Sequence, residues 1–214
     1  EAIEAYKQVI TIKPDCAEAY HNLGTALQRQ GKLGEAIEAY NRVLTIKPDF
    51  DEAYYNMGNI LTEVVFKKSN PGLQKTITLL LDKKSYVRPS DISEAAISLL
   101  KLEPKLKKYL QMPSADEVKP SPQALAADLS ELNLLLTLMS VCPLPDLELE
   151  KLFTELRASL LLSISDLTGS SEELKFQSAL ALQCFTNEYI YTQSKNEEKA
   201  IALLEGSVKQ ALRN

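Results

Sequence analysis

Tryptophan is absent from this chain of 214 residues, and histidine occurs once, at His21. The three cysteines, Cys16, Cys142 and Cys184, are odd in number and far apart, so they form neither a disulfide framework nor a C-x-x-C metal pair. They read as plain thiols of a reducing compartment, and a cytoplasmic location is expected. The seven glycines are scattered, with no G-x-G, no G-x-x-x-x-G-K and no G-x-S-x-G. Loops that cradle a nucleotide phosphate or raise a nucleophile are thereby excluded, and neither a cofactor nor a metal is expected. The longest apolar run, residues 132–141, is interrupted by Asn133, Thr137 and Ser140 and is too short to cross a membrane. No signal peptide is visible, and the chain opens inside a helical pattern without a methionine, which points to a fragment whose targeting is unreadable.

What is present is ordinary for a soluble helical protein: 45% hydrophobic and 25% charged residues. The net charge of −5 is uneven. Residues 1–64 carry 6 basic and 10 acidic groups, residues 65–113 carry 10 and 4, and residues 114–214 carry 8 and 15. The basic block could attract nucleic acid, but its lysines (Lys67, Lys68, Lys83, Lys84, Lys105, Lys107 and Lys108) lack interleaved aromatics. A solvated helical surface is the favoured reading of it. Acid pairs such as Glu148/Glu150 and Glu172/Glu173 fall at helix starts, where they complement the helix dipole.

The chain is organised around a repeat. Residues 17–50 contain Tyr20-x-x-Leu23-Gly24-x-x-Leu27, then Ala36-x-x-x-Tyr40, then Pro48. Tyr20 and Tyr54, Gly24 and Gly58, Ala2 and Ala36, and Pro14 and Pro48 are each 34 apart, and residues 1–15 agree with 35–49 at 12 of 15 positions. Residues 17–30 place Tyr20, Leu23, Gly24 and Leu27 on one helical stripe. Gly31-Lys32 breaks the helix, and residues 33–46 form a second one with Leu33, Ala36, Ile37, Tyr40, Val43 and Leu44 inward. Small Gly24 and Ala36 permit close backbone approach, and Asp49 or Asp51 is expected to cap the next helix after Pro48. A helical pair of this kind cannot cover its own apolar face and must stack on a neighbour.

This period with these residue types resembles the tetratricopeptide (TPR) repeat family over residues 1–62. The resemblance implies an all-α fold, a right-handed superhelix of helical hairpins, with the first helices lining a concave groove for a protein or extended peptide. The residues that fall on that face are His21, Asn22, Thr25, Gln28, Tyr55, Asn56 and Asn59. Asn22 and Asn56 are equivalent across the repeats, and an asparagine amide can grip a peptide backbone as donor and acceptor. This is similar to the asparagine ladder of TPR superhelices, including those of O-linked N-acetylglucosamine transferases. It does not match the carboxylate clamp of chaperone-binding members, which needs lysine or arginine on this face. A catalytic dyad would need a cysteine, serine or carboxylate held against His21, and Cys16, close in sequence, lies in the preceding turn, so His21 reads as a groove or surface residue.

The register fails after Glu63. Ser69-Asn70-Pro71-Gly72 is a break, residues 73–83 read as a helix, and Asp91-x-x-Glu94 reads as a capping box for residues 92–102, a degenerate second helix. Residues 104–111 read as one more short helix. The prolines of 112–122 suggest a boundary, giving helical repeats over 1–112, a linker over 113–122 and a helical bundle over 123–214. In the bundle, Ser121-Pro122 opens a helix running to Ser140 that is apolar nearly all round and therefore central. Further helices are expected over 146–163, over 172–191 with Ser170-x-x-Glu173 as capping box, and over 197–212 with Ser194-x-x-Glu197. The stretch from Phe176 to Tyr191, with its Gln183, Cys184, Asn187 and Glu188, resembles the helical segment that precedes the S-adenosylmethionine-dependent methyltransferase domain of bacterial TPR proteins. That resemblance implies a catalytic domain beyond Asn214 and gives this chain itself no means to bind the cofactor, for want of the strand and glycine loop. Gln183, Asn187 and Glu188 read as a hydrogen-bonded structural group.

Two functions stay open on the sequence: a non-catalytic scaffold that binds a protein or peptide in the groove, or the substrate-recruiting part of a methyltransferase, less so of a TPR-bearing glycosyltransferase. The terminal repeat helices lack polar caps, which leaves end-to-end self-association open.

Overall fold

The computed structural model describes residues 1–83, 85–112, 120–163, 171–186 and 194–211, and these are helical, with no strand among them. The chain divides into two compact units, Glu1–Glu103 and Pro104–Asn214.

The first unit holds α1 (Ala2–Ile12), α2 (Ala17–Arg29), α3 (Leu33–Ile46), α4 (Asp51–Leu61) and α5 (Pro71–Lys83), then a 3-10 turn (Pro89–Ile92) and α6 (Ser93–Leu100). Helices α2 and α3 form the hairpin that the repeat requires. Gly31 joins them at φ +72°, a conformation that costs a residue without a β-carbon nothing. Its N–H donates to Gln28 O at 2.9 Å while that of Lys32 donates to Leu27 O at 3.0 Å, so the last carbonyls of α2 are satisfied in a Schellman motif. Leu23, Leu27, Ile37, Tyr40, Val43 and Leu44 fill the hairpin, and Met57, Ile60 and Leu61 of α4 extend its core. Each such side chain removed from water contributes about 1.5–3 kcal/mol.

Neither Asp49 nor Asp51 caps α4; its N-cap is Phe50, with no side-chain hydrogen bond. Asp51 lies inside the first turn, where its charge suits the dipole, and its carboxylate accepts from the Tyr86 hydroxyl. Helix α4 ends at Leu61.

Beyond α4 the repeat is displaced, not lost. Buried Leu73, Thr76, Ile77, Leu80 and Leu81 of α5 each follow a buried residue of α3 (Ala36, Ala39, Tyr40, Val43, Leu44) by 37 positions. Helix α5 packs on α3, as a successive second helix does, and Asn70 Oδ1 caps it by accepting from Leu73 N at 3.0 Å. The 3-10 turn packs on α4 and α6 packs on α5. Together these two bury Ile92, Ser93, Ala96, Ile97, Leu99 and Leu100, each 39 positions after a buried residue of α4. Residues 92–102 thus occupy a first-helix position, not the second-helix position that their apolar pattern suggested. The expected capping box at Asp91 is also absent: the chain enters α6 through the 3-10 turn, and Ser93 Oγ donates to Ser90 O at 2.8 Å.

The second unit holds α7 (Pro104–Leu110), α8 (Pro122–Ser130), α9 (Asn133–Val141), α10 (Leu147–Leu162), α11 (Ser171–Thr186) and α12 (Lys195–Ala211). Helix α7, placed with the repeats on sequence, packs on α8 and α10. The single central helix expected from Pro122 to Ser140 is two helices bent by 90° at Glu131–Leu132. Both limbs pack on α11, and that explains the bend: Leu125, Leu129, Leu135 and Leu138 are all buried, which one straight rod apolar on every side could not achieve against a single neighbour. Ser130 Oγ donates back to Ala127 O at 2.7 Å, an alternative to continuing the helix. Ser121 Oγ accepts from Ala124 N at 3.2 Å with Pro122 in the first turn. The capping box of α12 is reciprocal: Glu197 N donates to Ser194 Oγ at 3.3 Å and Ser194 N donates to Glu197 Oε2 at 2.7 Å. Ser170 and most of the boundary expected at 113–122 lie outside the described residues.

Candidate functional site

Helices α2 and α4 present one polar face in the first unit. His21, Thr25 and Gln28 follow one another along α2 at a helical spacing, and Asn56 reaches them from α4. The Asn56 amide nitrogen lies 3.2 Å from His21 Nε2. The His21 ring is held between two aromatics, 5.0 Å from the Phe50 centroid and 5.8 Å from that of Tyr40.

Tyr40 ties the cluster together from beneath. Its ring is fully buried, and its hydroxyl emerges on the polar face, 3.1 Å from Thr25 Oγ1 and 3.2 Å from Gln28 Oε1, to which it donates. Thr25 Oγ1 also reaches His21 O at 3.1 Å. Burial pushes the Tyr40 hydroxyl pKa above its ordinary value, partly offset by hydrogen bonds from Thr25 and Asn56 and by the Arg29 charge. A buried tyrosine ring needs a partner for its oxygen, and the face supplies it. Because Gly24 has no β-carbon, the ring can pass: one added there would stand 2.9 Å from Tyr40 Cε1.

The structure therefore brings His21, Thr25, Gln28 and Asn56 into one hydrogen-bonded cluster and leaves Asn22, Tyr55 and Asn59 exposed beside it. Asn22 and Asn56, equivalent by period, differ in setting: Asn56 is engaged with His21, whereas Asn22 faces solvent. Sequence reasoning missed Tyr40 and Phe50 as members. The signal for Tyr40 was available, since a core tyrosine in place of phenylalanine implies a polar destination for its hydroxyl.

One repeat later the slot over Gly58 is filled differently. A β-carbon there would stand 3.1 Å from Val87 Cβ, so a loop residue takes the place that Tyr40 takes over Gly24. Tyr86 stacks on Tyr54 at 5.2 Å and 15°, with Lys83 Nζ 4.8 Å from the Tyr54 centroid.

In the second unit Gln183 is fully buried. Its Nε2 donates to Met139 O at 2.6 Å and Cys142 O at 2.8 Å, and its Oε1 accepts from Leu144 N at 3.2 Å. It satisfies the C-terminal end of α9, a structural task. Asn187 and Glu188, read with it on the sequence, lie outside the described residues. Among the described residues no three His, Cys, Asp or Glu side chains converge to hold a metal ion, and no single helix is long and apolar enough to cross a membrane.

A family model described as TPR repeat matches residues 1–31 and 26–63. The matched span contains every residue of the polar face. Residues 1–63 are thus a TPR segment, and repeats of this family generally mediate protein–protein interaction and are typically non-catalytic. No curated protein matches the chain at a significant level.

Proposed function

We propose that the first unit is a non-catalytic scaffold that binds an extended segment of a protein partner along the face built by α2 and α4. The observation that carries this reading is the Asn56–His21 contact at 3.2 Å, which joins successive first helices into one surface with exposed Asn22, Asn59 and Tyr55 around it. An extended backbone presents alternating N–H and C=O groups, and asparagine amides can answer both. The exposed Tyr55 ring, 57% accessible, offers a flat apolar surface for a side chain of the bound segment. No lysine or arginine stands among the seven face residues, so the ligand is held by its backbone and not by a terminal carboxylate.

The test is selection from a random peptide display library, followed by calorimetry with the enriched peptides on wild-type chain and on Asn22→Ala/Asn56→Ala. The expected result is an enriched peptide whose affinity falls about tenfold in the double variant, which corresponds to roughly 1.4 kcal/mol. C-terminal amidation of the peptide should leave its affinity unchanged. Failure to enrich any peptide, or equal binding by both proteins with unchanged helicity, overturns the proposal.

A further inference from the structure

Tyr40 reaches the polar face from the core, and one of its contacts there has a direction. The hydroxyl of this fully buried residue donates to Gln28 Oε1 at 3.2 Å and stands 3.1 Å from Thr25 Oγ1. Its ring is wedged into the slot above Gly24, where a β-carbon would stand 2.9 Å from Cε1. The hydroxyl is therefore fixed in place, and it holds the oxygen end of the Gln28 amide toward the core. The two polar atoms of a primary amide diverge from one carbon, so with Oε1 held, Nε2 is turned away from the hydroxyl. Among the described residues Nε2 meets no acceptor, and it is not closed off in the interior.

The next repeat lacks this arrangement. The position 34 after Gln28 is Thr62, whose Oγ1 donates to Asn59 O at 2.8 Å. The slot over Gly58 is taken by Val87, which has no hydroxyl to offer.

We infer that Tyr40 is a positioning residue for the peptide site: it makes Gln28 a fixed donor, which takes a backbone carbonyl of the bound segment. The inference rests on the reading of the α2–α4 face as a peptide site. A free glutamine presents either end of its amide to a ligand. Holding one end settles the choice before the ligand arrives and lowers the ordering cost of binding.

The experiment takes the tightest peptide from the display selection and titrates it calorimetrically in 1 M salt, where charges are screened beyond about 3 Å. Gln28→Ala should weaken binding about fivefold, the worth of one hydrogen bond. Gln28→Glu keeps an oxygen for the Tyr40 hydroxyl but replaces the outward donor with an acceptor. It should weaken binding about tenfold or more, with the urea midpoint unchanged. Tyr40→Phe keeps the ring in the Gly24 slot and frees the amide, and should weaken binding about threefold. The double variant Tyr40→Phe/Gln28→Ala should bind no more weakly than Gln28→Ala alone, because Tyr40 acts through Gln28. Additive losses would overturn the inference, giving Tyr40 a role in the fold only. Binding by Gln28→Glu equal to wild type, with Asn22→Ala/Asn56→Ala still weak, would overturn it and leave the peptide site standing. Failure to enrich any peptide overturns both. If Tyr40→Phe loses its helicity, Gln28→Glu alone decides.

Discussion

Tyr40 occupies the space that Gly24 leaves empty: a β-carbon on Gly24 would stand 2.9 Å from Cε1, 3.0 Å from Cζ and 3.1 Å from Cδ1. Tyr40 is fully buried and its hydroxyl is held by Thr25 and Gln28, so the ring cannot retreat without breaking those bonds. Gly24→Ala should cost about 1–3 kcal/mol by overpacking, although alanine is the better helix former. Gly34→Ala is the matched control. Gly34 lies in α3 with nothing within 4 Å of its would-be β-carbon, and the substitution should gain about 0.5–1 kcal/mol. Urea unfolding followed by circular dichroism reads both. Opposite signs are expected, and a gain at both sites would show that the Tyr40 slot can relax.

Among the described residues Gln183 makes three hydrogen bonds from a fully buried site, two to carbonyls at the end of α9 and one from the N–H of Leu144. Gln183→Leu keeps the volume and removes all three. The orphaned backbone groups are buried, and each carries a desolvation penalty of about 1–3 kcal/mol unless water reaches it. The second unit should be destabilised by several kcal/mol with no change in the binding of any ligand to the first. A loss below about 1 kcal/mol would mean that the site opens to solvent easily.

The first unit was legible because its information is periodic. Two copies of one pattern 34 apart specified α1 to α4, the Gly31 turn and most of the buried set. Legibility stopped where the spacing changed from 34 to 37 and 39, since a single apolar run cannot say which neighbour it packs on. Residues 92–102 looked like a second helix for that reason, whereas contacts with α4 and α5 put them in a first-helix position. The 90° bend between α8 and α9 was equally hidden. No proline or glycine marks it, and it comes from the demand that both apolar limbs reach α11. In the candidate site, period and helix face gave the α2 and α4 residues. The pairing of Asn56 with His21 depends on the distance between two helices, which no spacing encodes.

The hydroxyl of Tyr109 donates to the Asp128 carboxylate, and burial, reinforced by that bond and that charge, pushes its pKa up to about 12 from an ordinary 10. The folded form then holds a proton that the unfolded chain releases between these values. Stability is present in full below pH 10 and falls as the pH rises from 10 to 12. Tyr109→Phe should lose about 1–2 kcal/mol at pH 7 from the missing charged hydrogen bond, and lose less than wild type between pH 10 and 12. Urea midpoints at pH 7, 9.5 and 11.5 check this. Parallel curves for wild type and Tyr109→Phe would remove Tyr109 from the alkaline transition.

Cys142 sits just past α9 with its thiol 3.7 Å from Leu138 O, and burial alone pushes its pKa up to about 11. At pH 8 only about one thiol in a thousand is then ionised, and the thiolate is the reactive form. Cys184 is also raised by burial, though Arg157 draws it part of the way back. Cys16 is partly accessible at the start of α2. Reaction with a disulfide reagent at pH 8 should therefore label Cys16 first, Cys184 more slowly and Cys142 only as the second unit opens. Peptide mapping of the labelled chain over time gives the order. Because Gln183 holds the Cys142 carbonyl, Gln183→Leu should accelerate labelling of Cys142 by the same factor as it raises the open population, with Cys16 unchanged. Fast labelling of Cys142 in the wild-type chain would show that the buried end of α9 is not closed in solution, and the destabilisation expected for Gln183→Leu would fall with it.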